Sequence, residues 1–304
     1  MTTRQKLKWG IGGVYVLGII LIVAIFGASR HDSSLTAHPF LPQDEFKLLP
    51  WINLPGPLDF NKGVLYLLIA TALTIGLTMW VAKRMQARPN RVQTAVEWAY
   101  TGLREKIVRD NMDDAMARKW FPLVFTLFVF IWISNLIGYL PLPVNTDPNA
   151  KIDIFGLRIP GFQIYAATAN VSIPLVLALI VWVSYNIEGI KAKGVAGYTK
   201  SMIPPGLKGP ILIMIFPLEV LSHFLRLISL TVRLFANILA GHMLIQFMSG
   251  GLAVLLGMEV LGWFTLPAGI AIFLFEATLV AGLQAFIFAI LTCIYLGSAV
   301  SDHH

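Results

Sequence analysis

Apolar residues run along this chain in blocks long enough to cross a bilayer, and polar residues fall between the blocks. Residues 9–29, 63–82, 120–140 and 165–187 each match the length an α-helix needs to span the hydrocarbon core, about 20 residues. Two further stretches, 211–248 and 261–300, are a different kind of object. Helical throughout at ~1.5 Å per residue, each would be nearly twice the ~30 Å hydrocarbon thickness. Each therefore either breaks or lies steeply tilted. The segment Phe247-Met-Ser-Gly-Gly-Leu252 between them can turn the chain. The pattern predicts an all-α integral membrane protein of about six membrane helices, the last two forming a long, strongly tilted hairpin.

Two other segments read differently. Between 92 and 119, Val92, Val96, Tyr100, Leu103 and Ile107 recur at helical spacing with charges between them, which predicts one amphipathic helix on the membrane surface. Residues 141–164, with several prolines and Asn145-Thr-Asp-Pro148, read as a turn region outside the membrane. The first apolar run, with its basic flank, is an anchor helix or a signal-like segment. Residues 1–30 are accordingly set apart from a membrane domain covering 31–304.

Composition agrees with a membrane chain: 57% of the 304 residues are hydrophobic and 13% charged, about half the charge of a soluble domain. The mean hydropathy is +0.73. The net charge of +7 does not indicate nucleic acid, because the bases cluster in particular loops. Arg4, Lys6 and Lys8 precede the first run; Lys83, Arg84, Arg88, Arg91, Arg104, Lys106, Arg109, Arg118 and Lys119 fill the second loop; Lys191, Lys193, Lys200 and Lys208 fill the fourth. By the positive-inside rule these segments are cytoplasmic, 30–62 and 141–164 are external, and both termini are inside. The lone Cys293 excludes an internal disulfide and a cysteine-based zinc site.

The candidate chemistry lies within the long apolar runs. Arg233 sits at membrane depth, where an arginine costs ~2.5–3.5 kcal/mol on insertion scales and cannot escape by losing its proton. Glu219, Arg226 and Arg233 are spaced by seven residues, with His223 and Asn237 falling on the same helix face. Glu219 and Arg226 either pair structurally or line a polar path. Arg233 has no carboxylate beside it on that face, so its counter-ion must come from elsewhere in the chain or from another subunit. His242 lies near the opposite face. The last run adds Glu276 and Gln284, and a hairpin can bring Glu276 to His242, the parts of a proton relay. No set of His and acids has zinc-ligand spacing, and no phosphate-binding Gly-Lys-Ser/Thr loop is present.

Arg233-Leu-Phe-Ala-Asn-Ile-Leu-Ala-Gly-His242 together with Leu283-Gln-Ala-Phe-Ile-Phe-Ala-Ile-Leu-Thr-Cys-Ile-Tyr295 resembles subunit a of the rotary, F-type ATP synthase membrane sector. Ser134-Asn-Leu-Ile-Gly-Tyr-Leu-Pro141 and Thr168-Ala-Asn-Val-Ser172 resemble that family's motifs in the two preceding spans, and the likeness runs from about Asp59 to the C-terminus. The resemblance implies a stator proton-channel subunit, not an enzyme on its own and without cofactor or metal. Its expected setting is a bacterial inner membrane, or alternatively an organelle inner membrane. Its implied partners are the c-subunit ring, the b-subunit peripheral stalk, the rest of the complex and membrane lipid. Arg233 matches the essential stator arginine facing the c-ring. Glu219 and Arg226 match positions of the cytoplasmic half-channel, with His223 on the same face. Asn237, His242, Glu276, Gln284, Asn170 and Ser172 match positions in or near the external one.

This chain departs from the family's pattern in three places. Gly138 and Asn170 stand where some relatives carry aspartate, and the spacing from Glu276 to Gln284 is one residue longer than in some relatives. The reading from another class is a stand-alone proton-coupled transporter or channel, which accounts equally for intramembrane Arg, Glu and His. Such folds often carry inverted repeats, and none is visible between the halves of this chain. A purely structural scaffold leaves Arg233 unexplained.

Overall fold

The computed structural model describes residues 48, 60–86, 89–142, 151–154, 157–160, 164–202, 211–248 and 259–301. The first apolar run, its boundary at residue 30 and most of the turn at 247–252 lie outside them. Among the described residues, five helices are long and apolar enough to cross a membrane. The chain is an all-α integral membrane protein with a single small β-hairpin in the described part.

Helix α1 spans Lys62–Lys83, started by Asn61, whose Oδ1 accepts the Val64 amide at 3.1 Å. Helix α2 spans Arg91–Leu103 and continues through a π turn at Arg104–Val108 to Asn111. It is the expected amphipathic helix, with Leu103, Ile107 and Val108 buried; Val92 and Tyr100 on the predicted stripe remain exposed. Helix α3 spans Asp114–Gly138 and begins six residues before the expected 120, because Met112 and Asp113 are extended and a new helix starts directly after them. Strands β1 (Lys151–Ile154) and β2 (Leu157–Pro160) pair antiparallel, so the expected turn region contains a hairpin.

Helix α4 spans Ser172–Ser201, not 165–187. Residues 167–169 form a buried 3-10 turn instead, and the Asn170 side chain accepts the Ser172 amide at 3.1 Å, marking where the helix begins. At its other end the helix runs on through the lysine-rich segment and bends at Gly194, whose φ of 74° is the left-handed conformation that glycine adopts without strain. Helix α5 spans Ile211–Gln246, with 36 residues. Helix α6 spans Glu259–Phe275, and a π turn at Glu276–Val280 leads into α7, Ala281–Val300. The expected helix over 261–300 is therefore present but not uniformly α.

The chain divides into two compact units, one of Leu48–Leu239 with Ala277–His304 and a second that includes Ala240–Glu276. In the first, α7 packs its alanine-rich face (Ala281, Ala285, Ala289) among α3 and α4, small residues allowing helices to approach closely. The basic segments of this unit gather at one end. Lys119 of α3 reaches Glu188 of α4 at 2.6 Å, and Lys193 donates to the carbonyl of Ser301 at 2.8 Å. At the other end the Tyr66 hydroxyl reaches the Leu140 carbonyl at 3.5 Å, and the Tyr66 and Tyr165 rings meet edge-on at 5.5 Å.

Candidate functional site

The polar face expected on α5 exists. Residues separated by seven return to within about 20° on an α-helix, and α5 is continuous from before Glu219 to beyond Asn237. Glu219, His223 and Arg226 are half-buried, whereas Arg233 and Asn237 are exposed. Glu219 and Arg226 do not pair. Arg226 instead lies over the Tyr295 ring of α7, 5.6 Å from its centroid, a cation–π contact.

His223 packs on one side against α4. Its Nδ1 lies 3.5 Å from the Tyr185 hydroxyl, and its backbone carbonyl accepts the Trp182 indole N–H at 3.2 Å. The Tyr185 ring tilts against the imidazole at 6.0 Å, and the Tyr198 ring meets it edge-on at 6.4 Å. Tyr198 in turn donates to Asn186 Oδ1 at 3.0 Å.

Arg233 lies at the edge of a face of α5 that the other described residues leave exposed. Leu221, Leu225, Ile228 and Val232 recur on it at helical spacing and are 47–52% exposed. Leu230, Leu234 and Ile238, on the other side, are buried. Among the described residues no acid pairs with Arg233.

In the second unit, His242 is fully buried and Glu276 nearly so. A Cβ built on Gly241 would lie 2.6 Å from the Glu276 carboxyl carbon. Glu276 thus lies directly against the backbone of the residue that precedes His242, and a side chain at 241 would displace its carboxylate. Glu276 also opens the π turn. Such a turn holds one residue more than an α turn and is frequent at functional sites; Gln284, farther on, is buried on α7.

Asn170 Oδ1 accepts the Ser172 amide just ahead of α4, and Ser172 is exposed in the first turn of that helix. Gly138 has no room for aspartate, since a Cβ there would lie 2.8 Å from the Ala166 Cα. Among the described residues no cluster of His, Cys and acids could hold a metal.

Sequence reasoning missed two groups. Asn135, fully buried on α3, donates to the Ala281 carbonyl at 3.3 Å and accepts from the Thr168 hydroxyl at 2.8 Å. It joins α3, the 3-10 turn and the start of α7; both side chains stand in quoted motifs, but no periodicity reveals the pairing. Lys62 is also fully buried, its Nζ 5.1 Å from the Tyr165 ring centroid. Burial, and then the neighbouring Tyr66, push the Tyr165 phenol up to about 12, so that ring stays neutral. The expected span began at residue 63, one position past this lysine.

The residues that match a known family lie across all of these helices. Residues 64–297 match the family model described as ATP synthase A chain. The chain belongs to the ATP synthase A chain family. Its relatives include proteins named ATP synthase subunit a from several bacteria. That of Bradyrhizobium diazoefficiens is 36% identical over 249 residues, covering 81% of this chain and 90% of the relative. That of Parvibaculum lavamentivorans is 34% identical over 278 residues, covering 88% and 95%. That of Pelagibacter ubique is 30% identical over 272 residues, covering 89% of this chain and all of the relative. Membership in the A chain family, with the membrane-spanning helices, associates the chain with ATP synthesis and proton transport.

Proposed function

We infer that this chain is the stator subunit through which protons reach and leave the rotor of an ATP synthase, in a bacterial inner membrane. The observation that carries this reading is Arg233: exposed on α5, without an acid partner among the described residues, beside an apolar face that the other described residues leave exposed. A fixed cation facing lipid is costly. A neighbouring subunit presenting a carboxylate at that depth resolves the cost, and a ring of c subunits supplies one such group after another. The lengths of the last helices fit this role. At ~1.5 Å per residue the 36 residues of α5 extend ~54 Å, so α5 and the following hairpin arm lie inclined along the ring.

The mechanism follows from charge. A rotor carboxylate crosses lipid protonated. Near Arg233 its charged form is favoured, so it releases its proton, passes the arginine and takes another. The guanidinium keeps its own proton, so it also separates the two paths. The Glu276–His242 locus serves the external path with Gln284 and Asn237. Glu219, His223 and Arg226, at the basic end, serve the cytoplasmic one. Each proton crossing releases about 2.3 kcal/mol per 100 mV, and two offset paths turn that release into rotation. ATP itself is made elsewhere in the complex, and the peripheral stalk holds this chain still against the ring.

Membrane vesicles carrying the whole complex test the reading. Arg233→Lys keeps the charge but loses the planar fork and brings a transferable proton; it abolishes ATP-driven acidification. Arg233→Ala abolishes it too and raises passive proton permeability. Near-normal pumping by Arg233→Ala overturns the proposal. Gentle purification separates it from a stand-alone transporter, because only a stator subunit co-purifies with a small two-span subunit and an ATPase.

A further inference from the structure

The bend at Gly194 has a consequence within the first unit. It turns the last part of α4 back along the helix, so that Tyr198 packs on Gly189, where any Cβ would collide with its ring. Tyr198 is 5% exposed, and its hydroxyl is committed to Asn186. Its ring therefore has one well-held position, edge-on to His223. With Tyr185 it forms an aromatic enclosure on the α4 side of that imidazole, and Trp182 holds the His223 backbone carbonyl beside them.

We propose that Tyr198 is a positioning residue for His223: held by the Gly194 bend and by Asn186, it closes the enclosure and controls how water from the basic end reaches the imidazole. This rests on the proton-path reading above and adds to it. An enclosed imidazole passes a proton without net change: it accepts one at one ring nitrogen and releases one from the other. The groups around it are Tyr185 and Tyr198 on α4, Glu219 and Arg226 on its own helix, and Tyr295 on α7 beneath Arg226. None of the three phenols is needed as the donor to water. Only Tyr198 stands on a segment whose position depends on a left-handed glycine.

The test is a double-mutant cycle in vesicles of the intact complex, reading ATP-driven acidification. Tyr198→Ala lowers the rate about threefold or more, and Tyr198→Phe, which keeps the ring on Gly189, recovers most of it. In a His223→Gln background Tyr198→Ala has no further effect, because coupled neighbours are non-additive. A loss that multiplies with that of His223→Gln overturns the proposal, as does a Tyr198→Phe as slow as Tyr198→Ala. If Tyr198→Ala fails to assemble, Tyr198→Leu takes its place in the cycle with the same two outcomes. A second measurement is independent of pumping. A cysteine placed by His223→Cys, with Cys293→Ser removing the native thiol, is labelled by a membrane-impermeant reagent from the basic side. Adding Tyr198→Ala speeds that labelling about threefold or more, and an unchanged rate counts against the enclosure. Arg233→Ala vesicles run alongside keep the two readings apart. Normal pumping there removes the proton-path reading itself; lost pumping there, with multiplying Tyr198 and His223 effects, removes only this one.

Discussion

Arg233 and Glu276 solve the same physical problem in opposite ways. Arg233 cannot become neutral and is exposed on a helix face with no acid partner among the described residues, and in the proposed function a neighbouring subunit compensates it. Glu276 is nearly buried, held against the Gly241 backbone, and can exist as a neutral acid. The two substitutions that follow act differently. Glu276→Gln keeps the shape but removes the exchangeable proton; it slows ATP-driven acidification without raising passive permeability, which a side-by-side vesicle measurement reads. Gly241→Val leaves Glu276 intact and displaces its carboxylate. It lowers the rate about as far as Glu276→Gln does, and a silent Gly241→Val shows that the carboxylate's position does not matter.

Among the elements, the crossing of α3 with the 3-10 turn is the most constrained. Gly138 admits Ala166, and Asn135 satisfies Thr168 and the Ala281 carbonyl at once. Asn135→Leu leaves a buried hydroxyl and a carbonyl without their partner and costs about 1–3 kcal/mol. Adding Thr168→Val removes one orphaned group and recovers part of the loss, read as the thermal stability of the detergent-solubilised complex. Gly138→Asp destabilises the same crossing, and Ala166→Gly relieves it. The helices themselves were legible from apolar run length, because a backbone in lipid has no partner but itself. Their ends were less so. The start of α3 is decided by extended Met112 and Asp113, and the start of α4 by the Asn170 side chain. A hydropathy window responds to neither.

At the scale of the molecule, the placement of charge is the observation to test. Lys119, Glu188, Lys193 and the end of α7 gather at one end of the first unit, and Tyr66, Leu140 and Tyr165 at the other. The positive-inside rule predicts that the first end is cytoplasmic. Single cysteines in 83–119 or 188–209 are labelled from the cytoplasmic side and those in 30–62 or 141–164 from the outside. Labelling of 141–164 from the cytoplasm alone reverses the orientation.

The membrane class, the spans from 62 onward and the family were legible in the sequence, because they rest on run length, periodicity and side-chain identity along one dimension. So was the alignment of Glu219, His223, Arg226, Arg233 and Asn237, since helix phase follows from residue number alone. Tertiary structure decided the rest. Whether Glu219 pairs with Arg226 or Arg226 lies over Tyr295 depends on a neighbour 69 residues away in the chain. The burial of Lys62, the Asn135–Thr168 bond, the exclusion of a side chain at Gly138 and the return of Tyr198 over Gly189 likewise depend on close contact between separate segments. Such contacts are set by distances of a few ångströms between helices, and no pattern along a single helix encodes them.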